Sequence, residues 1–375
     1  MPLKVLVIGA YGNFGSIICR HLVAMPDIEL IITGRDPRKL ASSLQALQAL
    51  SATAIRSWCG DALGGGFAEV LRSFQVDWVV HTAGPFQGQS YAVAQACIEA
   101  RSNYCDLSDC RTFVNGIAVL DDAARQAQVV VFSGCSSVPT LSSALIDKYR
   151  DRFQRIDSIS HGISSSAKMP GLSTVQGVLA YAGKPIKQLR NGRMQPAIGW
   201  QGVELRRMPH LGWRVLANVD VPDMDIFAQR YGAATLKFKA GSGLKLGGLA
   251  NYVFALANRA GLLRDRNRWA QRLHRAGRYF ERFGDGKSAM YIDVHGTGLQ
   301  GHPLTMKLQL TAFDDRGPEI PSCAAVALVA KVARGDIPEP GARTCVGFID
   351  SDEYLDAIGE QGRPRLDVRF SGQQD

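Results

Sequence analysis

The sequence predicts an α/β protein: an N-terminal doubly wound parallel sheet of the Rossmann type, then a second α+β domain with a mostly antiparallel sheet. Three observations predict it. Short apolar runs alternate with single helical stretches through the first third of the chain. A glycine-rich turn follows the first of those runs. Beyond Pro139 the runs begin to alternate apolar with polar residues, as half-covered antiparallel strands do. At 375 residues, 46% hydrophobic and 21% charged, the chain holds about two domains of roughly 150 residues each. These proportions exclude a disordered, collagen-like or coiled-coil protein. The expected divisions are 1–138, 139–318 and a C-terminal segment 319–375 whose helix returns to the first domain.

Lys4–Gly9 reads KVLVIG, an apolar run stopped by glycine, as in a buried parallel strand. Phe14, Ile17, Ile18, Leu22 and Met25 then recur at helical spacing. Further strands are expected at Ile28–Thr33, Thr53–Cys59, Trp78–Thr82, Asn103–Asp106 and Val129–Ser133. Helices are expected at Phe67–Phe74, Ser90–Ala100 and Phe113–Gln126. In the second domain the strand candidates are Ile156–Ile163, Trp213–Asn218, Thr235–Lys239, Met290–Gly296 and Leu304–Ala312. Thr174–Ala182 and a long segment from Gly248 to Phe283 read as helices, as does Ser322–Arg334 near the end.

Gly9-Ala10-Tyr11-Gly12-Asn13-Phe14-Gly15 has the form G-x-x-G-x-x-G between a strand and a helix. The first glycine suits the tight turn, the second lets backbone approach a pyrophosphate, and the third packs helix on strand. The helix start offers free N–H groups to the phosphates. The second strand ends in Gly34-Arg35-Asp36-Pro37-Arg38-Lys39. NAD enzymes commonly place an acid at this tip to hold the ribose 2′-OH. Arg35 stands there instead, with a guanidinium that can grip a phosphate. The expected cofactor is NADP(H) in preference to NAD(H), with Asp36 as the contrary sign. Asp61 and Ala62 follow the third strand, on the adenine side. Thr82, Ala83, Gly84, Pro85 and Phe86 open the fourth strand's carboxyl end, where ligands of such sheets bind. Asp106, Ser108 and Cys135 are the acid–base candidates at the nicotinamide end, and Ser136 is a further cofactor contact.

The set GAYGNFG, TAGPFQGQ, ACIEARSNYCDLSD and GCSSVPTLSS resembles the saccharopine dehydrogenase-like oxidoreductases, specifically through residue 145. PHLGWR, GDGKSAM and the GPEIPS–GARTCVGF end match more loosely. The resemblance implies a nicotinamide oxidoreductase with an NADP-binding domain and an α/β domain whose sheet often forms a dimer contact, hence a homodimer. Family members include saccharopine reductases, which reduce an imine, and trans-acting enoyl reductases acting on lipid-linked chains.

Absences narrow the chemistry further. No tyrosine has a lysine four residues on, so the short-chain dehydrogenase pair is missing. No Gly-x-Ser-x-Gly marks a hydrolase. The histidines show neither His-x-x-x-His nor Glu-x-x-His spacing, so no metal is expected, and His81 and His161 read as core residues. Eight scattered cysteines without Cys-x-x-Cys suggest free thiols in a reducing compartment and a cytoplasmic location.

The net charge of +9 favours anionic partners. No nucleic-acid-binding signature is present, so none is expected as partner. Nine Lys or Arg and three Asp or Glu lie between Arg259 and Lys287. Trp269, Leu273, Ala276 and Phe280 share one helical face there, with Arg266, Arg272, Arg275, Arg278 and Arg282 around it. Such a helix suits peripheral contact with an anionic membrane, or an apolar face packed on its own sheet. With apolar and aromatic residues over Leu246–Phe283 and few acids, the second domain favours reduction of a C=C or C=O bond in a hydrophobic, small or carrier-linked acyl substrate. Imine reduction of the saccharopine or opine type, and a non-catalytic NADP sensor, are the alternatives.

Overall fold

The computed structural model describes residues 2–51, 53–168, 171–243, 245–259, 266–281 and 284–372. The first part alternates strand and helix: β1 Leu3–Ile8, α1 Gly15–Leu22, β2 Ile28–Gly34, α2 Pro37–Gln48, β3 Arg56–Cys59, α3 Phe67–Phe74, β4 Trp78–His81, α4 Ala92–Ala100, β5 Asn103–Asp106, α5 Arg111–Gly116, α6 Asp121–Ala127 and β6 Val130–Ser133. After α7 (Ser142–Asp147) come β7 Phe153–Ser165, α8 Leu172–Ala180, β8 Pro185–Arg190, β9 Arg193–Ile198, β10 Glu204–Met208, β11 Gly212–Asn218, α9 Asp223–Tyr231, β12 Thr235–Ser242, α10 Lys245–Arg259, α11 Arg266–Phe280, β13 Ser288–Gly298 and β14 Pro303–Ala312. The chain ends with α12 Glu319–Ala333, β15 Gly341–Thr344, α13 Ser351–Ile358 and β16 Arg365–Gly372.

Two compact units result, Met1–Ala144 with Pro318–Ile358, and Leu145–Gly317 with Gly359–Asp375. The segment from 319 onward, taken as one piece from the sequence, is divided between them. The first unit holds an all-parallel sheet in the order β15-β6-β5-β4-β1-β2-β3. Its inner strands are apolar on both faces because helices cover both sides; Val5, Leu6, Val7, Val79, Val80 and Val131 are buried. The second unit's sheet runs β10-β11-β12-β7-β13-β14-β16. Only β12 and β7 pair in parallel; the other neighbours are antiparallel.

Most expected elements differ by a few residues at their ends, and three differences are larger or have a local cause. The third strand begins at Arg56, three residues after the expected Thr53. The helix expected over Phe113–Gln126 is broken into α5, a 3₁₀ turn at Ile117–Leu120 and α6, the break falling at Gly116, where helix is least favoured. Gly248–Phe283 is two helices, α10 and α11, with residues 260–265 and 282–283 outside those described.

Candidate functional site

Every loop that the sequence assigned to the cofactor leaves the carboxyl end of a strand in the first unit's sheet. Residues 9–15 connect β1 to α1. Gly9 has φ +82°, the left-handed region that favours glycine. A Cβ at Gly15 would overlap the Gly9 carbonyl oxygen, and one at Gly12 would lie 3.0 Å from that oxygen. The loop thus closes on itself only with glycine at 9 and 15, and is tight at 12. Helix α1 starts without a side-chain cap; the Ser16 and Ile17 amides donate to the Gly12 and Phe14 carbonyls, and the positive end of the helix still favours an anion. Thr82 braces the loop from the neighbouring strand, its hydroxyl donating to the Ile8 carbonyl at 2.7 Å.

At the end of β2, the Tyr11 hydroxyl accepts hydrogen bonds from the amides of Arg35 (3.0 Å) and Asp36 (2.9 Å). Asp36 caps α2: its Oδ1 accepts from the amides of Arg38 and Lys39, and Lys39 Nζ lies 3.8 Å from its Oδ2. The acid that argued for NAD is therefore spent on its own helix. The Arg35 side chain is 76% exposed, with Nη1 4.0 Å from Asp61 Oδ2. Asp61 itself turns the next loop by accepting from the Leu63 amide, and Ala62 is buried beside it. Ala83 and Pro85 offer their carbonyls to Gln89, which fastens the loop from Thr82 to Phe86. This arrangement fits a dinucleotide: glycine backbone and a helix start for the pyrophosphate, an exposed guanidinium for the 2′ end, and an open loop edge for the nicotinamide.

The acid–base candidates lie together at the ends of β5 and β6, all three buried. Asp106 Oδ1 accepts from the Ser108 amide (2.9 Å), the Ser133 hydroxyl (3.0 Å) and the Gly134 amide (3.0 Å). Its Oδ2 has no hydrogen-bond partner among the described residues. Burial raises the carboxyl to about 6, and the hydrogen bonds to its oxygens only partly oppose that. The Ser108 hydroxyl accepts from the Cys110 amide. The Cys135 amide donates to the Asp106 carbonyl at 2.7 Å. Burial pushes the Cys135 thiol up, and the neighbouring Cys105 and Cys345 thiols add to the effect. Cys135 is thus a poor nucleophile. Ser136 is also buried, turned by its amide onto Gly134.

Two members of this group were not picked out as site residues from the sequence. Strand register sets His81 beside Asp106, and His81 Nδ1 lies 3.0 Å from the Tyr104 hydroxyl. Burial lowers His81 to about 4, so the ring is neutral at pH 7. Both residues end their strands, but only the pairing of β4 with β5, which the sequence does not give, brings them side by side.

His161 is a core residue of the second unit, 3.0 Å from Asp223 Oδ1 and packed against Phe227 and Phe238. The fold also gathers one potential metal-ligating group that spacing could not reveal: ligand atoms of His21, Glu319 and Cys323 lie within 4.8 Å of one another. They are already satisfied. His21 Nε2 meets Glu319 at 2.9 Å, Arg20 stands 4.0 Å from the same carboxylate, and the Cys323 thiol donates to the Ala357 carbonyl.

In the basic stretch, Trp269 meets Phe254 of α10 edge-on and lies under the Arg272 guanidinium. Arg272 and Arg275 are exposed. The side chains of Arg266, Ala276, Arg278 and Phe280, and all of Arg282, lie outside the described residues. Among the described residues no helix is long and apolar enough to cross a membrane.

Comparison with known proteins bears on the first unit and on the fold. Residues 5–132 match the family model described as saccharopine dehydrogenase NADP binding domain. No curated protein matches the sequence. Apo saccharopine dehydrogenase (L-Glu forming) from Saccharomyces cerevisiae is similar over 98% of this chain and 100% of its own, with 14% identity and a TM-score of 0.69. An amine dehydrogenase from Mycobacterium smegmatis aligns over 94% of this chain and 96% of its own, with 13% identity and a TM-score of 0.48. Residues 5–132 thus match an NADP-binding domain of the saccharopine dehydrogenase type, and the chain as a whole shares its fold with the yeast enzyme.

Proposed function

We propose that the protein uses NADP(H) in preference to NAD(H) to reduce a C=C or C=O bond of a hydrophobic or acyl substrate, free or carrier-linked. The observation that carries the cofactor half is the state of Asp36. A carboxylate that caps α2 and faces Lys39 is not placed to hold a ribose 2′-OH, whereas the Arg35 guanidinium is exposed and can take a 2′-phosphate. NADPH, when bound, supplies the hydride. The chain's own part is to hold the pyrophosphate at residues 9–15, bound the nicotinamide with Thr82–Phe86, and provide the proton. Asp106, raised to about 6, can hold a proton close to neutral pH and release it to the reduced substrate, and Ser108 and Cys135 adjoin it. A cytoplasmic homodimer belongs to the same reading, supported by the eight free thiols and by the family resemblance.

Likeness to the yeast enzyme over nearly the whole chain favours a second reading, imine reduction joining an amino acid to a keto acid. NADPH oxidation measured against enoyl thioesters, ketones, and amino acid plus keto acid pairs decides between them. Turnover with either of the first two classes is the expected result. Turnover confined to the pairs establishes the imine chemistry, and tight NADPH binding with no turnover anywhere establishes a sensor.

A further inference from the structure

The turn between β2 and α2 has no backbone amide left to give. Arg35 and Asp36 donate to the Tyr11 hydroxyl, Pro37 has no N–H, Arg38 and Lys39 donate to the Asp36 carboxylate, and Leu40 donates to the Asp36 carbonyl. Phosphate groups at helix starts are ordinarily held by free amides. Here that means is closed, and the residue that closes half of it comes from the pyrophosphate loop. The closure depends on Gly34, because a Cβ at that position would overlap the Tyr11 ring. What the turn does present is charge on exposed side chains: Arg35, Arg38 and Lys39.

We propose that this protein reads the 2′-phosphate of its cofactor through side-chain charge alone, and that Tyr11, seated on Gly34, is the positioning residue that sets the turn and aims Arg35. The inference rests on the NADP reading above. Two consequences follow from the chemistry. Contacts made by exposed charges weaken as salt screens them, so the preference for NADPH over NADH falls with ionic strength while NADH affinity scarcely moves. Loss of the Tyr11 hydroxyl releases the turn and with it the aim of Arg35, which harms the phosphate-bearing cofactor more than NADH.

Fluorescence titration of the full chain with NADPH and with NADH, at low and high salt, tests both. The unmutated protein must first bind NADPH more tightly; equal affinities would remove the NADP reading and this proposal with it. Given that preference, Tyr11→Phe is expected to weaken NADPH about two- to tenfold more than NADH, the worth of one or two neutral hydrogen bonds. Gly34→Ala, which displaces the same ring, should give the same pattern. The proposal is overturned if Tyr11→Phe weakens both cofactors equally, the mark of a merely structural role. It is equally overturned if the NADPH preference is unaltered in that variant or independent of salt.

Discussion

Burial acts on Asp106 and His81 in opposite directions, and the two effects meet in one pH range. Asp106 titrates at about 6 in the fold instead of 3.8, so the native state holds the extra proton between those values. Its contribution to stability is therefore lost as pH rises from about 4 to 6, by about 3 kcal/mol. His81 titrates at about 4 instead of 6.5, so the unfolded chain holds the extra proton. Its contribution is lost as pH falls through the same range, by a similar amount. The two slopes nearly cancel in the native protein. In Asp106→Asn, denaturant unfolding should show stability rising with pH between 4 and 6, and in His81→Gln it should show stability falling. Coincident curves for all three proteins would dispose of the assignment. Asp106→Asn should also slow turnover about 10²-fold or more if the carboxyl delivers the proton. At the 2′ end, Arg35→Ala removes a charge-assisted phosphate contact of roughly 1.5–3 kcal/mol. The ratio of NADPH to NADH affinity should fall at least tenfold, and an unchanged ratio would count against Arg35. Asp36 illustrates how a residue is misread alone. In the run Asp36-Pro37 it is a helix cap followed by a first-turn proline, a signal present in the sequence but weighed there as a ribose ligand.

Among the elements, the glycine loop makes the sharpest demand. A Cβ at Gly12 already lies 3.0 Å from the Gly9 carbonyl oxygen, and the branches of valine reach outward to where a pyrophosphate must approach. Gly12→Val should abolish cofactor binding in a titration while circular dichroism still reports a folded protein. Normal binding would move the phosphate site elsewhere. The parallel strands were legible because burial on both faces leaves continuous apolar runs such as KVLVI and WVV. The edge strands of the second sheet were not. β10 reads ELRRM and β16 RLDVRFSG, too polar to stand out, because one side of an edge strand faces no partner. The β8–β9 hairpin was available to a closer reading: Asn191 and Gly192 both have positive φ, as a two-residue hairpin turn needs, and Asn-Gly is its strongest sequence cue. The His81–Asp106 juxtaposition was not available, since it depends on the order in which β4 and β5 pair.

For the molecule as a whole, the first unit is assembled from both ends of the chain. β15 completes the sheet beside β6, and α12, with ten of its fifteen residues buried, packs on α1. Synthesis therefore places a long delay inside one core. Residues 1–144 leave the ribosome with β6 still an open edge and the outer face of α1 uncovered, and the pieces that close them arrive about 200 residues later. At roughly 5–20 residues per second that wait is on the order of 10–40 s. During it the nascent domain exposes a strand edge and an apolar helix face, the features that invite aggregation and chaperone capture. A fragment ending at residue 144 freezes the chain in that state. It should bind a hydrophobic dye and sediment as aggregate, and supplying residues 318–358 should reduce both. A monomeric, cooperatively melting fragment would mean that the unit can fold before residues 318–358 arrive, and that the late segment only reinforces it.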